Sequence, residues 1–157
     1  MSLASVKAFF SEHAPDIAVI ELDTSTATVD LAAQAHGVEA GQIAKTLAFW
    51  VGERVVLVVA RGDVRIDNRK FKTTFAAKGK MLSAEEVLHW TGHPVGGVCP
   101  FGLAQPCEIF LDESLHGFTE VLPAAGCTRS AVRLSPARLQ ALTHGQWVDV
   151  CQAPVMA

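Results

Sequence analysis

Apolar and polar positions along the chain change their period several times, and each change marks an element. Residues 3–14 place Leu3, Val6, Phe9 and Phe10 at helical spacing, with Ser2 able to cap the helix and Pro15 to stop it. Residues 17–22 form a short apolar run with β-branched members, which predicts a strand. In residues 26–37 threonines precede an alanine-rich stretch that ends at Gly37, the pattern of a capped helix closed by a left-handed residue. A short turn over 39–44 follows. Residues 47–51 and 55–60 are apolar, β-rich runs on either side of Gly52-Glu53-Arg54, which predicts a hairpin.

Residues 68–77 and 83–90 return to helical spacing, and Ser83 with Glu86 fits a capping box. From Gly92 the texture changes. Pro94, Gly96, Gly97, Pro100, Gly102 and Pro106 crowd together, which predicts shaped loops and tight turns. Short strands are expected at 109–111, 120–123 and 131–134. A helix capped by Ser135, with Pro136 in its first turn, runs to Leu142. An edge strand at 148–150 and a frayed tail after Cys151 complete the chain. There is no internal repeat, linker or low-complexity segment. Strands and helices mix without strict alternation, so we expect a single domain over residues 1–157. Its class is α/β (α+β), with a mixed, mostly antiparallel, barrel-like sheet surrounded by helices.

Composition supports a globular chain: of 157 residues, 50% are hydrophobic and 18% charged. The four cysteines (Cys99, Cys107, Cys127, Cys151) are far apart and form no CxxC pair, which suits free thiols and a reduced, cytoplasmic setting. No basic segment followed by a long apolar run opens the chain, and no stretch reaches ~18 uncharged apolar residues, so no membrane partner is expected. A net charge of −3 weakens attraction to a polyanion, and nucleic-acid contact then requires a local patch. Residues 61–80 supply one, with Arg61, Arg65, Arg69, Lys70, Lys72, Lys78 and Lys80 around Asp63 and Asp67. The plainer reading of that run is a solvated helix face with flanking loops.

Candidate chemistry is concentrated in two places. Lys45 stands where a helical turn hands over to an apolar strand; its side chain either snorkels to water or points its three N–H donors into a cleft. In residues 92–102, paired glycines followed by proline let backbone N–H groups approach a ligand, as in an oxyanion hole, or simply build a structural turn. Cys99 lies in this loop with His93 near it in sequence, so a thiol nucleophile is an alternative, although most cysteines are buried small hydrophobes. His89 and His93 have i, i+4 spacing, but Gly92 and Pro94 break the helix and no third ligand clusters with them, so no metal site is expected. The sequence has no phosphate loop, dinucleotide fingerprint or nucleophile elbow, which sets aside kinases, NAD enzymes and serine hydrolases of that type and leaves no cofactor expected. Phe71/Phe75 and Leu88/Trp90 read as core.

Several segments, in order, carry a family likeness. Thr28 to Gly37, then Val38, then Gln42-Ile43-Ala44-Lys45-Thr46-Leu47, match an alanine-rich helix, a turn and a lysine-led strand start. Val58-Val59-Ala60-Arg61-Gly62-Asp63 matches an apolar strand closed by Gly-Asp. Gly96-Gly97-Val98-Cys99-Pro100 fits a GxxxP element, and Gly126 precedes a strand before a leucine-rich helix. Over residues 27–142 this set resembles the YbaK/prolyl-tRNA-synthetase-associated editing domains. The resemblance implies a trans-editing aminoacyl-tRNA deacylase. Such a protein hydrolyses the ester that joins a wrongly attached small amino acid to tRNA, here tRNA-Pro, and has aminoacyl-tRNA and prolyl-tRNA synthetase as partners. By the same resemblance Lys45 is the catalytic position, holding the aminoacyl end. Thr46, Gly96, Gly97, Val98, Cys99, Pro100 and Gly126 shape the substrate pocket, and groups of the substrate itself replace a protein nucleophile. Arg61, Arg69, Lys70 and Lys72 of the basic run would then meet RNA. Family members specialised for cysteine carry a serine and an aspartate near Gly126, where this chain has Ala124 or Ala125 and Ala131, so another small residue such as alanine, serine or 2-aminobutyrate is as well suited. The alternative is a non-catalytic RNA- or synthetase-binding adaptor of the same fold.

Overall fold

Residues 2–153 are described by a computed structural model. In chain order the elements are α1 (Ser2–His13), β1 (Ile20–Glu21), α2 (Val29–His36), β2 (Ile43–Val51), β3 (Arg54–Arg61), α3 (Asn68–Phe75), β4 (Lys80–Met81), α4 (Ala84–Thr91), β5 (Glu108–Asp112), β6 (Leu122–Pro123), β7 (Ser130–Ala131), α5 (Pro136–Thr143) and β8 (Gln146–Val148). Single 3-10 turns cover Ala40–Gln42 and Glu113–Gly117.

The helix ends form as their capping residues dictate. Thr28 accepts the Leu31 N–H, and Gly37 closes α2 at φ 68°. Asp67 accepts two N–H groups of α3, Ser83 and Glu86 form a reciprocal capping box on α4, and Ser135 caps α5. The hairpin is longer than the apolar runs suggest, because pairing extends from Ala44↔Arg61 to the turn at Gly52. Lys45 therefore lies inside β2.

The main sheet has the order β4-β2-β3-β5-β8, with β6 beside the start of β2, and β1 pairs with β7 separately. Antiparallel pairing joins β2 to β3 and to β4, and β1 to β7; β6, β5 and β8 are laid on in parallel. The mixed α/β class and its surrounding helices stand, but the sheet is open and does not close into a barrel. The terminal edge strand lies two residues earlier than expected, and the expected fraying of the tail falls largely outside the described residues.

The sheet is buried on both faces, so β3 reads as a continuous apolar run and shows no alternation. Val56, Val58 and Ala60 pack with Phe71 and Phe75 of α3, while Val59 joins Val6 and Phe10 of α1 and Leu139 of α5 on the other side. Buried Asp112 ends β5, and its two carboxylate oxygens accept the Val150 N–H at 2.8 Å and the Ser114 N–H at 2.9 Å. Asp112→Ala would leave both donors unsatisfied, and we expect a loss of about 2–4 kcal/mol in denaturant unfolding. An unchanged midpoint would mean that water replaces the carboxylate.

Candidate functional site

The outer edge of β2 is covered at both ends and bare in the middle. β6 pairs with Ile43 and Ala44, β4 pairs with Phe49 and Trp50, and the Leu82 N–H donates to the Ala48 carbonyl at 3.1 Å. Alternation along the strand directs the Thr46 N–H and C=O to the same edge. There the chain has left β2 after Pro123, and Ala124 bridges Ala131 instead. A cavity of about 340 Å³ opens in this fork. Thr28, Ala32 and His36 line it from α2 and its cap, Lys45 and Thr46 from the fork, and Val95, Gly96 and Val98 from the glycine loop. Of the alanines named for the cysteine-specific positions, Ala124 and Ala131 line it too, and Ala125 does not. Met81 and Val95, among the lining residues, are 59% and 62% exposed, which gives the mouth an apolar rim.

Lys45 reaches the cavity with its donors partly committed. Its ammonium donates to the Gly62 carbonyl at 3.2 Å and to the Val64 carbonyl. An ammonium has three N–H groups, so one is uncommitted among the described residues. Burial depresses the Lys45 pKa below its ordinary value; Asp63 opposes this and Arg65 adds to it.

The glycine loop divides into a wall and its support. Gly96 and Val98 line the cavity, whereas Gly97, Cys99, Pro100 and Gly126 lie behind it. The Gly97 N–H is used on the Pro94 carbonyl at 2.9 Å, and the Gly97 carbonyl accepts the Gly126 N–H at 3.0 Å. A side chain at Gly97 would sit 2.7 Å from the Cys127 nitrogen, so glycine is needed for the two loops to touch. Cys99 is wholly buried against Phe10 and Phe101, its Sγ 3.7 Å from the Phe101 carbonyl, and burial pushes the thiol up to about 12. His93 is bonded through Nε2 to the same carbonyl at 2.7 Å. Neither is poised as nucleophile or base. His89 is exposed, so the two histidines do not converge.

The basic run separates in the same way. Arg61 is held by Asp63 through two hydrogen bonds, 2.6 and 3.0 Å, and lies over the Phe118 ring. Lys70 donates to Asp149 and to the Cys151 carbonyl. Arg69 and Lys72 are exposed on α3. Sequence reasoning passed over His36, Thr26, Thr28 and Ser130, all of which line the cavity. The Thr28 hydroxyl is spent on the helix cap, and His36 reads only as a basic residue in a last turn.

A family profile described as an aminoacyl-tRNA editing domain matches residues 23–142. The chain is 47% identical over 154 residues to "Uncharacterized protein YwhH" of Bacillus subtilis, covering 97% of this chain and 98% of that one. It is 29% identical over 121 residues to "Putative Cys-tRNA(Pro)/Cys-tRNA(Cys) deacylase EbsC" of Enterococcus faecalis, covering 75% and 73%. A solved structure described as "a putative trans-editing enzyme for prolyl tRNA synthetase" superposes with a TM-score of 0.89 at 35% identity, covering 97% and 98%.

Proposed function

Because the chain belongs to the aminoacyl-tRNA editing domain family, we propose that it is a trans-acting deacylase that hydrolyses the ester of a small, wrongly attached amino acid on tRNA-Pro. The observation that carries this reading is the meeting of Lys45, the Thr46 edge and the glycine loop in one small, largely aliphatic cavity. Attack on an ester carbonyl places negative charge on its oxygen, and the spare N–H of Lys45 is a donor suited to that charge. Water forms the new bond to carbon and gives up its proton through a neighbouring ribose hydroxyl of the substrate. The bond to the terminal ribose oxygen breaks, and that oxygen takes the proton. Aminoacyl esters are activated, so positioning and carbonyl polarisation supply much of the acceleration without a protein nucleophile. Ala124 and Ala131 leave the cavity wall small and apolar, which favours a short aliphatic side chain and gives no charged partner for a polar one. Of Arg61, Arg69, Lys70 and Lys72, the exposed Arg69 and Lys72 are the two better placed to meet phosphate, since Arg61 and Lys70 are already paired.

The test is deacylation of tRNA-Pro charged with alanine, serine, cysteine or 2-aminobutyrate. Rapid cleavage of one ester supports the reading and identifies the amino acid. Binding of tRNA without cleavage of any ester would instead favour a non-catalytic adaptor. Cys99→Ser is expected to keep activity within about threefold, because a thiol with a pKa of about 12 supplies almost no thiolate at neutral pH. Loss of activity in a folded Cys99→Ser protein would revive the thiol mechanism.

A further inference from the structure

Two polar atoms of cavity-lining residues are buried without a hydrogen-bond partner among the described residues: His36 Nε2 and Thr46 Oγ1. Such atoms are unfavourable unless something completes them, and both belong to residues that line the cavity. His36 is the last residue of α2. Burial, and then the Arg133 guanidinium, hold its imidazole below the ordinary histidine pKa. In the neutral form with the proton on Nδ1, the lone pair sits on Nε2.

The other hydroxyls around the cavity are engaged. Thr26 donates to the Thr128 carbonyl, Thr28 accepts the Leu31 N–H, and Ser130 accepts from the Cys127 thiol. No carboxylate lines the cavity among the described residues. Among the polar side chains that line the cavity, His36 and Thr46 therefore hold the buried acceptors with no hydrogen bond of their own, and a cationic group can complete both. The negative end of the α2 dipole lies beside the first of them.

We propose that His36 and Thr46 hold the α-ammonium group of the aminoacyl ester, the imidazole Nε2 and the hydroxyl oxygen accepting its protons. The proposal rests on the deacylase reading and adds the group by which the site tells an aminoacyl ester from a plain acyl ester. His36 is a positioning residue here, since it touches the amine and not the bond that breaks.

The experiment compares the ester cleaved fastest in the tRNA panel with its deamino counterpart, propionyl-tRNA for alanyl-tRNA or butyryl-tRNA for 2-aminobutyryl-tRNA. Each rate is divided by the uncatalysed rate of the same ester. Wild-type protein should prefer the amino ester. His36→Leu should lose roughly 10–100-fold on it, the range of a hydrogen bond to a charged group, and stay within about twofold on the deamino ester. His36→Gln, which keeps an acceptor, should recover part of the loss. Equal losses on both esters, with melting curves unchanged, would overturn the proposal and leave the deacylase reading intact. If wild-type protein cleaves no ester at all, the deacylase reading fails first and takes this inference with it.

Discussion

Lys45→Ala is expected to lower kcat/KM on the preferred mischarged tRNA by about 10²–10³-fold while the protein remains folded. That is the usual effect of removing one pre-positioned donor from a developing oxyanion. Two carbonyls hold the ammonium in place, so on the proposed mechanism its third N–H needs little reorganisation when substrate arrives. The same two bonds predict a side effect, since the Gly62 and Val64 carbonyls lose their partner. Lys45 is only half-buried, so water can replace it at these oxygens, and the melting temperature should fall by a few degrees at most. Single-turnover deacylation with circular dichroism on the same sample separates the two effects. Undiminished turnover would remove Lys45 from the mechanism and reduce it to a brace for the Gly62–Val64 turn.

Gly97→Ala should lower stability because its methyl would meet the backbone of the neighbouring loop. The added carbon would lie within 2.8 Å of the nitrogen, Cα and carbonyl carbon of Cys127, and no rotamer change can move those atoms away. We expect about 1–3 kcal/mol of destabilisation, or more if the loops separate. Activity should fall as well, because the loop that carries Gly96 and Val98 must move relative to the fork at Thr46. Gly52→Ala is the control: its methyl would meet no heavy atom within 4 Å, so only the cost of its positive φ remains. Equal unfolding midpoints for the two variants would mean that the loop contact is soft and that Gly97 is not a spacer.

Much of this was legible in the sequence where one residue decides a local geometry. The caps at Thr28, Ser83 and Ser135 and the left-handed Gly37 set helix ends within a residue or two, because each depends only on near neighbours. β4 was missed: Lys80–Met81 has no periodicity of its own and is a strand only because Phe49 and Trp50 offer it an edge. The parallel placement of β5 and β8 was invisible for the same reason, since partners brought together across long crossovers leave no short-range pattern. The glycine loop was located correctly as a region, yet which of its residues face inward depends on contact with Gly126 and Cys127, about 30 residues away. His36 had no sequence signal at all. An imidazole at a helix end looks the same whether its nitrogen meets solvent or an enclosed space.

The bare interval on β2 also bears on how the protein behaves when concentrated. An exposed strand edge ordinarily invites a second chain to add itself, the first step toward fibrils. Here β6 ends at Pro123 on one side and β4 occupies Phe49 and Trp50 on the other, so the unpaired main chain is too short to template an incoming strand. A small group can enter where a peptide from another molecule cannot, so the open hydrogen-bonding groups carry little risk of self-association.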